Sequence, residues 1–438
     1  MESIAICFLH SYRNADHEKR ARVLVKQIAP DVHVSLSSDV APDIREYERA
    51  STTVANAYTQ PVFERYLSAF GRSLSEAGYQ RQLYLMTSDA GLTTSDLALR
   101  APVRLMESGP AGGCAAARHV GSVAERDGLI AFDMGGTTAK ISFIANGRFS
   151  VANELEVARA YRFKKGSGLP IRIPTVHMIE IGAGGGGIAS VNDLGLLRVG
   201  PQSAGADPGP ACYGQGGAAA TVTDANLLLG YLDPDFFLGG EMHLETAAAR
   251  KAVEDVAARL NLDAIRVAWG IHEIVSTEMA EAARLHLLDL GVDPRKFSML
   301  AFGGAGPLHA CRVARKLGVR EVIIPEGAGV LSALGFLVAP IAVTMIQGHP
   351  ALLEQADADE VDAILARLET QGREVVIGTG ADPQRVELNR FALLRYQGQG
   401  TELRMPIPPS QSMSDAMSSL QKAFHQFFND HRSCTAAA

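Results

Sequence analysis

Residues 129–144 read LIAF-DMGGTTAK-ISFI: an apolar run at 129–132, a carboxylate followed by two glycines and two hydroxyls within 133–140, and a second apolar run at 141–144. Two short apolar runs separated by a glycine turn predict a β-hairpin, not a strand feeding a helix. Two residues suffice for an ordinary hairpin connection, so the composition of this turn asks for a further reason. Bare glycines let an anion reach the backbone, and successive inward-facing N–H groups form an oxyanion cradle. In this reading Gly135 and Gly136 receive phosphate oxygens and Thr137 and Thr138 add hydroxyl donors. Asp133 holds a magnesium ion directly or through water, because magnesium takes few carboxylates and keeps several waters. A plain turn with glycines at positive φ is the competing explanation.

Working outward, SMLAF at 298–302, GGAGP at 303–307 and EVIIP at 321–325 predict a strand, a glycine turn, a helix through about Leu317 and a parallel strand. Gly303, Gly304 and Gly306 thus occupy the place where a nucleotide usually meets an α/β sheet. The turn is not a dinucleotide fingerprint: read as G-x-G-x-x-G from Gly304 and Gly306, it puts His309 where a third glycine should allow close packing, although Glu326 follows at the expected distance. No G-x-x-x-x-G-K-[ST] loop occurs either. Nucleotide binding therefore requires another architecture.

Between Gly166 and Gly217 the chain is rich in glycine and proline, with GAGGGG at 182–187 and GPQSAGADPGPACYGQGG at 200–217. Connections of this length are uncommon unless functional or disordered, and the small apolar residues speak against disorder. Gly184, Gly185, Gly186, Ser203, Asp207 and Tyr213 are the candidates to line an anionic substrate, with compact self-packed surface loops as the equal alternative. Asp224, in TVTDAN at 221–226, suits a helix N-cap as well as a ligand. His177 and Glu180 do not make a metal pair, because residues three apart on a strand face opposite sides.

Further out, Ile4–Leu9, His17–Ile28 and His33–Leu36 predict a strand, helix, strand unit, helix formers run from Asp43 to Leu74, and Leu83–Met86 predicts a buried strand. Ala249, Val253, Val256 and Leu260, then Ile271, Val275, Met279 and Ala282, recur at helical spacing. Length 438 and 47% hydrophobic residues allow two or three cores, and a net charge of -7 favours neither nucleic acid nor an acidic-tail partner. Five widely spaced cysteines, Cys7, Cys114, Cys212, Cys311 and Cys434, give no disulfide framework or zinc site. Without an apolar run of about 18 residues or a signal peptide, no membrane association is expected and the location expected is cytoplasmic.

Taken together, HSYRNADHEKR at 10–20, YERASTTVANAY at 47–58, SGPAGG at 108–113, DMGGTTAK, GAGGGGIA, GPQSAGADPGPACYG, TVTDAN and AFGGAGPLHA at 301–310 closely resemble the hydantoinase A/oxoprolinase family, collinearly over roughly residues 5–340. The resemblance implies an α/β, actin-like ATPase (ribonuclease H-like) fold in which DMGGTTAK is the second phosphate hairpin and AFGGAGPLHA the adenosine segment. Family members carry a first hairpin of the form D-x-G-G-T-x-T-D. Its absence here sets the expectation of an incomplete first lobe, with residues 1–46 a remnant of an N-terminal domain, 47–340 the catalytic domain and 341–438 part of a C-terminal domain.

Three departures from the family pattern stand out. Lys140 stands where many relatives are acidic, as in a branch holding N-methylhydantoinases and acetone or acetophenone carboxylase subunits. Gly187 replaces a serine, and His177 an aspartate. The resemblance implies ATP and magnesium as cofactors and opening of a cyclic amide (hydantoin, N-methylhydantoin or 5-oxoproline) through a phosphorylated carbonyl. Ketone carboxylation and a catalytically silent nucleotide-binding fragment are the alternatives. It further implies a small-molecule substrate, a B-type hydantoinase/oxoprolinase subunit as partner, and an oligomer.

Overall fold

Leu129, Ile130, Ala131 and Phe132 are buried on both sides, and with Asp133 and Met134 they form the middle strand, β1 (Leu129–Met134), of a six-stranded sheet. The computed structural model describes residues 1–160, 166–400, 402–408 and 412–435, which form two compact units. β1 belongs to the unit made of 109–151 and 176–339.

In that unit β2 (Ala139–Ala145) returns antiparallel to β1, with Lys140 opposite Asp133, so the predicted hairpin is present. A short β3 (Arg148–Phe149) pairs with the far end of β2, and β4 (Met178–Ile181) pairs with its outer edge. β5 (Gly187–Val191) and β6 (Leu197–Ser203) form a separate antiparallel pair. β7 (Ser298–Phe302) runs parallel to β1 on its other side, followed by parallel β8 (Val322–Ile323).

Helix α1 (Ser108–Val123) covers one face of this sheet, where Ala116 and Ala117 meet Leu129, Ala131, Ile144 and Leu300. The opposite face carries Ile130, Phe132 and Met134. It is covered by α4 (Ala264–Asp289) and α5 (Gly306–Leu317), while α2 (Val222–Leu228) and α3 (Thr246–Leu260) pack on α4 and on each other. Burial on both faces explains why β1 reads as a continuous apolar run. Both predicted helical periodicities fall within α3 and α4, and the predicted strand, turn and helix at 298–317 are found as β7 and α5.

The other unit gathers residues 1–108, 152–175 and 340–438. Ser3–Ile6 pairs in parallel with His33–Leu36, and the helix Asp16–Ile28 joins them. The long helix Glu46–Glu76 packs on both strands and buries Arg49, whose guanidinium donates to Glu46, Ser11 and Ser37. Tyr84–Met86 pairs with Leu92–Thr94, and Phe391–Leu394 with Leu403–Pro406 beside the helix Met413–Thr435. Arg172 is buried between Asp43 at 2.8 Å and Glu402 at 2.6 Å. One guanidinium thus joins pieces of chain far apart in sequence.

Two sequence expectations differ from the structure. The stretch 166–217 is not one long connection: it contains Leu169–Ile171, Thr175–Val176, β4, β5 and β6. Strands this short, broken by glycine, leave too little alternation to read. Asp224 is not the N-cap of α2; Thr221 is, and Asp224 completes a capping box from the third helical position. The helix from Glu46 packs back on the first two strands, so residues on either side of Glu46 share one compact unit.

Candidate functional site

The turn between β1 and β2 is fastened to protein on one side only. Within it the Gly135 N–H donates to the Thr138 carbonyl at 3.0 Å. Behind it the N–H groups of Gly185 and Gly186 donate to the carbonyls of Gly135 (3.0 Å) and Gly136 (2.7 Å). Gly136 and Thr137 are exposed, and among the described residues no acceptor takes their N–H groups. Neither Gly135 nor Gly136 has a positive φ, and a Cβ built on either would meet nothing within 4 Å. Backbone conformation and packing therefore give no reason for glycine at these two positions, which removes the plain-turn explanation that rested on positive φ.

The GAGGGG loop is a brace. Gly184, Gly185 and Gly186 are buried, and a Cβ on Gly184 would lie 2.5 Å from backbone atoms of Gly136 and Thr137. The Gly185 carbonyl accepts from both the N–H and the hydroxyl of Thr223 at 2.8 Å, and the Gly186 carbonyl accepts from Ala204 N–H at 2.9 Å. The expectation of bare amides here is therefore not met at Gly185 and Gly186, whose N–H groups are spent on the hairpin. Ser203 lies beside Gly186, and its hydroxyl accepts from Gly205 N–H at 3.2 Å. Asp207 is exposed, and among the described residues no hydrogen bond or ion pair ties it to the hairpin. Asp224 is fully buried and accepts from Cys212 N–H (2.8 Å) and Thr221 N–H (2.9 Å), so it holds the 200–217 loop against α2.

Gly303 has φ +82°, and any side chain there would strike Asp133 and the Met134 carbonyl. Ala305 N–H donates to that same carbonyl at 2.9 Å, while Gly304 is exposed. The two glycine turns thus meet at the end of β1. Farther along α5, His309 is fully buried, with Nε2 3.1 Å from Asn226 Nδ2 and Nδ1 3.1 Å from Ser276 Oγ, and it stacks on His272 at 4.3 Å. Burial lowers the His309 pKa to about 3, which keeps the ring neutral. The residue that breaks the dinucleotide fingerprint is a core hydrogen-bonding group joining α2, α4 and α5.

Asp133 lines a small cleft with Lys140, Cys114, Ser142, Met178 and Phe302. Burial raises the Asp133 carboxyl above the usual range, and the nearby Lys140 ammonium partly opposes that shift. The Cys114 thiol, 2.9 Å from the Ser142 hydroxyl, is pushed up to about 12 by burial and offers no thiolate at neutral pH. Sequence reasoning gave no role to the contacts of Lys140, whose Nζ donates to Thr138 Oγ1 and Glu180 Oε1, each at 2.8 Å. The apolar alternation of residues 178–181 was the available signal, since it predicts a strand able to bring Glu180 beside β2.

No group of three or more His, Cys, Asp or Glu side chains that could hold a metal ion occurs among the described residues. A single half-buried carboxylate fits magnesium, which takes few protein ligands and completes its shell with water and substrate phosphates. Among the described residues no helix is long and apolar enough to cross a membrane.

A family model described as Hydantoinase/oxoprolinase matches residues 49–344. The chain belongs to the hydantoinase/oxoprolinase family. Within this family, an uncharacterized protein of Methanocaldococcus jannaschii is 40% identical over 92% of this chain and 59% of its own length. Caprolactamase subunit alpha of Pseudomonas jessenii is 36% identical over 97% of this chain and 60% of its own. The crystal structure of the ATP-dependent caprolactamase from Pseudomonas jessenii aligns with a TM-score of 0.83 at 34% identity, covering 98% of this chain and 62% of that one. Nucleotide-free acetone carboxylase aligns with a TM-score of 0.73 at 25% identity over 99% and 62% of the two chains. The chain thus spans about three-fifths of the length of these relatives.

Proposed function

We propose that this member of the hydantoinase/oxoprolinase family is an ATP-dependent amidohydrolase with an actin-like ATPase fold, opening a cyclic amide such as a hydantoin, N-methylhydantoin or 5-oxoproline. The observation that carries the reading is the turn at Gly135 and Gly136: side-chain-free where neither φ nor packing requires it, and braced only from behind. An anion is the ligand whose oxygens such amides receive.

The amide carbonyl oxygen bonds to the γ-phosphorus of ATP and the bridging P–O bond to ADP breaks. Water then adds to the activated carbon and the ring C–N bond breaks, the ring nitrogen taking a proton, which leaves an acyl phosphate; a second water hydrolyses it to the free carboxylate and orthophosphate. In this scheme the amides of Gly136 and Thr137 and the hydroxyls of Thr137 and Thr138 hold the transferring phosphoryl group. Such positioning and charge compensation supply most of the catalysis in phosphoryl transfer. Asp133 would hold a hydrated magnesium ion, which would supply neutralisation of phosphate charge. Gly303, Gly304 and Gly306 admit the nucleotide, and Ser203 and Asp207, on the loop beyond the Gly184–Gly186 brace, face the substrate. A B-type subunit is the proposed partner in an oligomer, and the cytoplasm the proposed location.

Structural likeness to acetone carboxylase favours a second reading, ketone phosphorylation followed by carboxylation. ADP release and product formation, measured with 5-oxoproline, hydantoin, N-methylhydantoin, and acetone plus bicarbonate, alone and with a B-type subunit, separate the two. Ring-opened product matching ADP supports the amidohydrolase. Bicarbonate-dependent turnover of acetone with no reaction of the amides replaces it with the carboxylase. Absence of both ATP binding and turnover overturns both.

A further inference from the structure

Asp133, Lys140 and Glu180 are register partners on three adjacent strands, β1, β2 and β4, and make an acid, base, acid row across the sheet. The ammonium in the middle is mostly buried, with its side chain 18% exposed, and donates to both Glu180 and Thr138. An ammonium has no lone pair, so in the contact with Thr138 it can only donate. The Thr138 hydroxyl therefore accepts from Lys140 and must send its own proton elsewhere. Glu180 fixes the lysine head and Lys140 fixes the polarity of the threonine, at the end of the turn that presents the exposed amides.

We propose that Lys140, held by Glu180, is a positioning residue that makes the Thr138 hydroxyl a hydrogen-bond donor to the terminal phosphate of ATP. The proposal rests on the reading that the turn at 135–138 seats phosphates. A cross-strand ion pair of purely structural worth would affect melting but not couple to Thr138.

The test is calorimetric titration of the full chain with ATP and with ADP, each with magnesium, for wild type, Lys140→Met, Thr138→Val and the double variant. Each single change is expected to weaken ATP binding by about tenfold or more, the loss of one charge-assisted donor. ADP affinity is expected to stay within about twofold, because only the terminal phosphate is lost. If Lys140 acts through Thr138, the double variant is no worse than either single one. Lys140→Arg, which keeps a donor toward both partners, is expected to recover most of the affinity.

Multiplying effects in the double variant, unchanged ATP affinity in Lys140→Met, or equal loss for ADP overturns the proposal. Thermal melts report folding, and Glu180→Gln crossed with Thr138→Val closes a second cycle that retains the ammonium should Lys140→Met not fold. Wild-type chain that binds neither nucleotide would instead remove the phosphate reading itself. Binding that is sensitive to Gly136→Ala but indifferent to Lys140 would sink this inference alone.

Discussion

Alanine at Gly184 puts a Cβ 2.5 Å from the carbonyl carbon and oxygen of Gly136 and from the carbonyl carbon of Thr137, whereas ordinary contact starts at 3.4 Å. Those atoms are backbone and cannot rotate away, so the brace and the turn must separate by about 1 Å, a misplacement able to cost about a hundredfold in turnover. The strain of forcing an extra carbon into this contact is about 1–3 kcal/mol, which lowers the melting temperature by several degrees. Alanine at Gly136 is the matched control, because its Cβ meets nothing and its φ is not in the left-handed region. Gly136→Ala is expected to keep stability within about 0.5 kcal/mol of wild type, while its methyl group occupies the phosphate's place and weakens ATP binding about tenfold or more. Urea unfolding, ATP titration and ADP release would be measured on both variants. Gly136→Ala binding ATP as wild type does would refute the phosphate seat. Gly184→Ala with unaltered stability would refute the bracing.

Asp133→Asn removes a carboxylate whose ionised form is disfavoured by burial, so without ligand it is expected to melt above wild type at about pH 8. The two curves should meet as pH falls below the ordinary aspartate range near about 3.9, where both side chains are neutral, and magnesium-dependent ATP binding should be lost; equal melting at the higher pH would contradict this. Because His309 stays neutral when folded, with its pKa lowered to about 3, stability should be fully present above the unfolded histidine value of about 6.5 and decline as the solution is acidified toward about 3. His309→Gln should flatten that slope in pH-dependent urea titrations, and a slope unchanged by the substitution would count against it. Arg172→Ala takes the guanidinium from buried Asp43 and leaves Glu402 to Arg45, and is expected to cost about 3 kcal/mol in urea unfolding, with a loss below about 1 kcal/mol excluding the pairing role.

The hairpin was legible because its chemistry is local: an apolar run, a carboxylate, glycines and hydroxyls within sixteen residues. The strand, turn and helix from Ser298 to Leu317 were legible for the same reason. Gly184 to Gly186 were legible as special, but their packing on the hairpin was not, since a backbone packed on a backbone some fifty residues away leaves no side-chain pattern in the sequence. Lys140 read as a departure from a motif, and its contact with Glu180 depends on a strand register that no local pattern fixes. Likewise, nothing near Arg172 announces Asp43 or Glu402, so the joining of three lengths of chain in one unit is not legible locally.

Arg172 has an uneven history during synthesis. Asp43 precedes it by 129 residues and is already available, whereas Glu402 follows it by 230. At about 5–20 residues per second, the second carboxylate reaches the guanidinium roughly 10–50 s after the first. Throughout that interval the guanidinium, paired with Asp43, lacks its second carboxylate, and the strand pair of Phe391–Leu394 with Leu403–Pro406 is still unmade. Chains that stall before Glu402, or are clipped there, should therefore be aggregation-prone and cleared by proteases, and chaperone demand should peak just before the last strands leave the ribosome.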